Sequence, residues 1–593
     1  MGSMPLIAEN DSSTAVRPEE LLCALDDGSV RYRDEVARRR VVALARSGCR
    51  WSVVKHNVAR TVYRGDGGPG VGVFYLKHFH SPALLHRLRR RLGLSDALNE
   101  MLYSEYLWRR RVPVPRVLAA CCRGGVAWVI AEGIEPAVPA DKWHMEALAR
   151  GDHAGIRSAT VALAELVGRM HASGVLHRDL HCGNVLVRPE APGHVVLTDL
   201  HRVRRRRRLS RRSRAANLAQ LLHDRRLWTT RSQRLRFLRH YLRASGAEGT
   251  LRGWVRLIEP LAGRHSRRVY AQRDRRIFGR NRYFSPLAVG GYRGHVILAS
   301  KRQVPGSRAA AVTFTVEDWR RALSDPEGLF TGPDVQVVKD SPSSLVVRRS
   351  LRVGPVELDV YIKRSRRKKR IRWVLDLFRP SRAMRAFGHG HALLARHIYN
   401  ALPLAAMERR RAGFLVDSFL ITEAVDEAMH LNRFLSRYLG PAEGDEALPA
   451  TQRRHLAREV LWQLGRLVRR LHEEGFAHRD LKASNLLVRW TGREDCPPAI
   501  IMVDLDGLRR LRRVTARQQF RGLMRLNVSL LECPAVNHAG RLRMLLGYLR
   551  RPGTGRVNFK PYWRELQRWS GEKIRRQIES RRRRQRALRR KRP

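Results

Sequence analysis

The chain has 593 residues and carries 117 Lys and Arg against 54 Asp and Glu, a formal charge of +63 with a pI near 11.6. That balance excludes an ordinary neutral enzyme and predicts attraction to a polyanion: nucleic acid, an anionic membrane surface or a phosphorylated glycolipid. Only 12 of the basic residues are Lys and 105 are Arg, a skew that base composition alone can produce. Seven cysteines without CxxC spacing point to neither a zinc site nor a disulfide framework. No apolar run reaches the ~18–20 residues of a bilayer span, and residues 1–20 lack an apolar signal core, so membrane association is expected to be peripheral.

In chain order, residues 1–50 read as an extension with short helices. Residues 51–79 alternate apolar and polar around Gly67-Gly68-Pro69-Gly70, which predicts a hairpin and a strand ending near Lys77. Residues 97–111 read as an amphipathic helix stopped before Pro113 and Pro115, 126–131 as a buried strand, and 157–172 as a helix. The same order then returns, with strands near 335–363, a helix near 383–400, an apolar strand at 414–421 and a helix at 452–473.

The return is a duplication. Met170-His171 through Val187 aligns without a gap with Leu471-His472 through Val488, and Val53-Val54-Lys55 matches Val337-Val338-Lys339. A period of nearly 300 residues is too long for a solenoid and predicts two globular domains in tandem. The expected organisation is 1–50 extension, 51–302 first domain, 303–334 linker and lead-in helix, 335–570 second domain, and 571–593 an Arg-rich tail.

Each repeat carries a phosphoryl-transfer signature. His177-Arg178-Asp179-Leu180 is followed by Asn184 and by Asp199 after an apolar run; the second repeat supplies Asp480, Asn485 and Asp504. Asp179 and Asp480 are candidate bases for an acceptor hydroxyl, and the Asn and Asp that follow each are candidate Mg²⁺ ligands against the phosphates of ATP. Such transfer needs positioning and charge neutralisation: oxygen ligands for a hard cation and one carboxylate beside the attacking oxygen. Lysine is scarce, with only Lys55, Lys77 and Lys142 before residue 300, yet Lys77 and Lys363 end matching strands where an ATP-clamping lysine is needed.

On these residues the chain resembles the protein-kinase-like superfamily, specifically the bacterial lipopolysaccharide core kinases that phosphorylate heptose or Kdo sugars. Asp199-Leu200-His201-Arg202 is similar to the metal motif of the heptose-kinase branch, and Asp504-Leu505-Asp506-Gly507 to the Kdo-kinase form. The resemblance implies an α+β fold, two tandem kinase-like domains each with a small strand-rich N-lobe and a larger helical C-lobe. It further implies a helix carboxylate that orients the strand lysine. Glu100, thirteen residues before Pro113, fits that place, with Glu105 as the alternative. The second repeat has Phe387 to Leu394 in the matching stretch with no acidic residue, so a pseudokinase competes with a second active kinase there. Glu132 and Glu423 fall where the inter-lobe linker presents backbone groups to adenine. Neither Lys55 to Thr61 nor Lys339 to Leu345 holds a GxGxxG loop.

The implied reaction is transfer of the ATP γ-phosphate to a sugar hydroxyl of the lipid A-core region, with ATP and Mg²⁺ as cofactors, at the cytoplasmic face of an inner membrane. The basic tracts 204–208, 364–372, 509–513 and 581–591 suit an anionic leaflet at about 1 kcal/mol per basic residue. Rival readings are a protein or small-molecule kinase of the aminoglycoside-phosphotransferase type and a nucleic-acid-binding protein on degenerate kinase domains. Oligomeric state stays open.

Overall fold

A computed structural model describes residues 18–22, 25, 30–57, 59–80, 95–123, 126–223, 225–366, 379–440, 449–492, 497–550 and 557–589. The tract 367–372, the end of the Arg-rich tail and residues 1–17 lie outside them. The chain divides after Arg267 into two compact units.

In the first unit, a six-stranded antiparallel sheet carries the strands Arg50–Asn57, Arg60–Asp66 and Val73–Phe79 at one side. Val126–Glu132 pairs with Val73–Phe79, Val117–Arg123 pairs with Val126–Glu132, and Val30–Tyr32 forms the far edge. The helix Asp96–Trp108, capped by Ser95 accepting from the Ala97 N–H, packs against this sheet. Below it, a helical lobe centres on His153–Ala172 with Arg231–Ser245 and, up to Arg267, the helix Leu251–Arg276. Its apolar face includes Ile156, Leu166, Val167 and Met170, all at most 1% exposed. Each such residue stabilises the fold by about 1.5–3 kcal/mol.

The second unit repeats the plan. Its seven-stranded sheet holds Gln336–Ser341, Ser344–Val353, Val356–Ser365, Phe414–Glu423 and Pro403–Arg411 in that spatial order, with the helix Arg382–Ala395 against it and Ala450–Glu473 in the lower lobe. The likeness extends to irregularities. Both outer hairpins shift register at the same point, between Val53 and Lys55 and between Val337 and Lys339. Both small-lobe helices end through a positive-φ residue, Arg111 and His397, after which Val112 donates to Leu107 O and Ile398 to Leu393 O. That turn ends the second helix at Ala395, short of the expected 400.

The expected domain limits need correction. Residues 284–297, assigned to the first domain, form the hairpin Phe284–Val289 and Tyr292–Ile297, whose second strand pairs with Pro403–Arg411 of the second sheet. The turn is Gly290-Gly291, both at positive φ (55° and 76°), the conformation a tight two-residue hairpin requires. Phe314, Trp319 and Leu329, expected in a linker, are buried with Leu351, Val360 and Phe419 in one core. Likewise Val30, Ala37, Val41 and Leu44, expected in an extension, pack with Phe74, Leu76 and Leu118. A strand of three residues such as Val30–Tyr32 is too short to show a periodicity, and only its neighbours give it a place.

Candidate active site

In the first unit, sheet pairing sets Lys77 inward on a strand flanked by Val62 and Val129. Its ammonium meets the Glu100 carboxylate at 2.5 Å and Asp199 at 3.7 Å. Glu100 is 4% exposed, while Glu105 turns away to pair with Arg109 one helical turn on. Five residues on a helix separate side chains by about 140°, so only one of the two can face the lysine. Glu100 is thus the carboxylate that meets Lys77, and Glu105 is not.

Asp199 sits at φ 69°, ψ 44°, the left-handed region, between the strand Ala191–Leu197 and the short turn Leu200–Arg202. Strained backbone of this kind clusters where a side chain must be aimed. Its two oxygens accept from the Arg60 guanidinium, the second at 2.8 Å, and its Oδ1 accepts from His201 Nδ1 at 3.1 Å. Burial alone would raise the Asp199 carboxyl; hydrogen bonds from His201 and Arg60, with the charge of Lys77, outweigh it and hold the group far below the usual carboxylate range. Burial likewise works against Arg60, and the Asp199 contact outweighs it to raise that guanidinium.

His177 fixes the loop that carries Asp179. Burial pushes its pKa down, and the neutral ring donates from Nε2 to Thr198 O (3.1 Å) while Nδ1 accepts from the Asp179 N–H (3.2 Å). Asn184 donates to Asp179 O (2.9 Å). The Asp179 carboxylate itself stays half-exposed, 3.4 Å from Arg202 and 3.9 Å from His181.

The oxygen-rich donor set fits a hard divalent cation. Asp199 is ionised, and Glu100 Oε2 is buried with no hydrogen-bond partner among the described residues. Glu100, Asp199 and His201 offer ligand atoms all within 4.8 Å of one another. Asn184 has its amide N–H engaged on Asp179 O, which leaves its carbonyl oxygen as an acceptor.

The second unit reproduces the catalytic loop. Burial lowers the His478 pKa; the ring donates to Asp504 O and accepts from the Asp480 N–H, each at 3.1 Å, while Asn485 donates to Asp480 O at 2.9 Å. Asp504 is also left-handed, at φ 57°. Lys482 pairs with Asp480 at 2.9 Å. Burial works to raise the Asp480 pKa, and Lys482 and Asn485 outweigh it to lower it. Glu100 lies 23 residues after Lys77, and the same step from Lys363 reaches the buried Ala386. Lys363 instead meets Asp504 at 2.5 Å and Asp506 at 2.8 Å.

Glu132 and Glu423 are the last residues of their strands rather than linker residues beyond them. The Glu132 side chain pairs with Arg40. Glu423, 4% exposed, accepts from Ser307 Oγ and from the N–H groups of Arg308 (2.7 Å) and Ala309 (2.8 Å). Burial pushes its pKa up against those bonds. Its carboxylate therefore ties down 307–309, and any nucleotide contact there falls to the backbone alone.

Arg60, His201 and Asp506 were not singled out from the sequence for these contacts. Among 105 arginines Arg60 has no local distinction, whereas His201 and Asp506 share a readable signal: each stands two residues after the metal-motif aspartate.

Residues 54–241 and 349–548 each match the family described as "Lipopolysaccharide kinase (Kdo/WaaP) family". A curated relative, the EKC/KEOPS complex subunit BUD32 of Coccidioides immitis (strain RS), is 29% identical over 143 residues, covering 19% of this chain and 50% of the relative. The chain thus spans about half the length of that relative. Among solved structures, "WaaP in complex with acyl carrier protein" is similar at 22% identity and a TM-score of 0.31, covering 41% of this chain and 99% of that one. With two separate regions matched, the chain belongs to the lipopolysaccharide kinase (Kdo/WaaP) family.

Proposed function

We propose that the protein transfers the γ-phosphoryl group of ATP to a sugar hydroxyl, heptose or Kdo, of the lipopolysaccharide inner core. The observation that carries this reading is the Lys77–Glu100–Asp199 constellation beside a loop that presents Asp179 through His177 and Asn184. Lys77 binds the nucleotide phosphates, and Glu100 keeps its ammonium from collapsing onto Asp199. Asp199 and Asn184 hold the cation, whose chemistry is to neutralise charge on the transferring group. A cation held by Asp199 and Asn184 would take the place that the Arg60 guanidinium occupies on the Asp199 carboxylate. The Asp179 carboxylate accepts the proton of the acceptor hydroxyl; its half-exposed position leaves an acceptor room to approach. In the second unit Lys363, Asp480, Asn485 and Asp504 take the same roles.

The acceptor side is strongly basic. Val203–Arg205 pairs with Val175–His177, the strand leading into the Asp179 loop, and Arg204 to Arg208 are exposed. Leu508–Arg510 pairs with Phe476–His478 in the same way. These tracts suit a phosphorylated glycolipid at the inner face of the inner membrane. Among the described residues no helix is long and apolar enough to cross a membrane.

Transfer of ³²P from ATP into extracted glycolipid, with none into protein, tests the reading; label appearing only in protein would overturn it. Asp179→Ala and Asp480→Ala, assayed separately, test the two sites. Full activity after loss of Asp480 would leave one active site.

A further inference from the structure

Lys363 lacks a carboxylate from the helix Arg382–Ala395, because Ala386 stands where the first unit has Glu100. An ammonium in that position, with the Asp504 carboxylate at 2.5 Å, would close onto it. A closed Lys363–Asp504 pair would remove both groups from use, since Asp504 is needed for the cation and Lys363 for the nucleotide. The first unit avoids this state: Glu100 takes Lys77 at 2.5 Å and Asp199 stands off at 3.7 Å.

We propose that Asp506 is the positioning residue for Lys363, a carboxylate supplied from the metal-motif turn in place of the missing helix glutamate, and that the second unit therefore docks nucleotide. Asp506 Oδ2 lies 2.8 Å from Lys363 Nζ and is the less exposed of the two aspartates, 21% against 39% for Asp504. Lys363 bridges both aspartates here, and the deeper Asp506 keeps a carboxylate on the lysine when the outer Asp504 turns to a cation. Burial works against the Lys363 ammonium, and Asp506 with Asp504 outweighs it.

The first unit carries the complementary choice. His201, at the position of Asp506, cannot serve a lysine as an anion and instead donates to Asp199 at 3.1 Å. A glutamate on the helix goes with a histidine in the turn, and an alanine on the helix goes with an aspartate in the turn. Each unit thus keeps one carboxylate for its lysine beyond the metal-motif aspartate. This arrangement answers the missing helix acid that otherwise suggests a pseudokinase.

The inference rests on the nucleotide-site reading above, and its test needs no acceptor sugar, so its failure is distinct from failure of the lipopolysaccharide assignment. An acyl-phosphate derivative of ATP acylates a lysine that lies against the nucleotide phosphates. Labelling of Lys77 and Lys363 can be quantified by peptide mass spectrometry in the full-length chain, with Lys77 as internal control for the probe reaction and thermal unfolding as control for folding. Both lysines are expected to label in the parent, with competition by ATP. Asp506→Asn should cut Lys363 labelling at least ten-fold and leave Lys77 unchanged, while Glu100→Gln should do the reverse. Asp506→Glu, which keeps the charge, should retain at least half of the Lys363 signal. Absence of Lys363 labelling in the parent, labelling within two-fold of parent in Asp506→Asn, or equal loss in Asp506→Glu would each overturn the proposal.

Discussion

Replacing Glu100 by Gln keeps the side-chain shape and one acceptor oxygen for Lys77 but removes the charge. Hydrogen bonds to charged groups contribute about 1.5–3 kcal/mol; Lys77 stays a charged donor to the Gln oxygen at the lower end of that range, so the lost carboxylate charge accounts for about 1.5 kcal/mol of lysine positioning. At 1.36 kcal/mol per decade that is about ten-fold in kcat/KM for Glu100→Gln. Glu100→Ala, which loses the acceptor oxygen as well, should cost about 100-fold. Stability should fall as well in the Gln variant, by up to about 3–5 kcal/mol, because removing one partner of a buried pair leaves the Lys77 ammonium with only Asp199 at 3.7 Å. The assay is steady-state phosphotransfer at varied ATP in an Asp480→Ala background, so that only the first unit is read, with thermal unfolding alongside. A kcat/KM for Glu100→Gln within two-fold of its parent would refute the reasoning, since Lys77, with Asp199 at 3.7 Å, would then need no separate carboxylate.

Arg60→Gln removes the bidentate partner of Asp199, so the metal-free protein should lose about 1.5–3 kcal/mol and Mg²⁺ should restore more stability than it gives the parent, measured by thermal shift with and without the ion. An equal Mg²⁺ response in both proteins would show that Arg60 does not compete for the cation position. Burial pushes His171 and His472 down to about 4 and His391 to about 3. A depressed pKa gives stability that is complete above the unfolded value near 6.5 and is lost as pH falls, on the order of 3 kcal/mol for each such histidine. The unfolding midpoint should therefore drop between pH 7 and 5, and His171→Gln should flatten that slope; a midpoint constant over this range would contradict it. Gly465 lies where the helices Ala450–Glu473 and His538–Leu549 meet, and a Cβ there would stand 2.0 Å from Met544 O and 2.6 Å from Tyr548 N. Gly465→Ala should destabilise the second unit by at least about 1–3 kcal/mol in chemical denaturation, whereas an unchanged midpoint would mean that the helices separate freely.

The duplication, the catalytic-loop motifs and the two strand lysines are local patterns, and the sequence alone determined them. HRDxxxxN keeps its meaning because its hydrogen bonds run over a few residues: Asp179 N–H to His177 and Asn184 to Asp179 O. Helix periodicity placed Asp96–Trp108 and offered both Glu100 and Glu105, but only the rotation of the packed helix separated them. Contacts between residues far apart in the chain were decided by the tertiary structure. Arg60 reaches Asp199 across 139 residues and Lys363 reaches Asp504 across 141. Sheet register and lobe packing set those distances, and a side chain's neighbours across a sheet leave no mark on its own stretch of sequence. The same holds for the strands at 30–32 and 284–297, whose place comes from the partner strand that pairs with each.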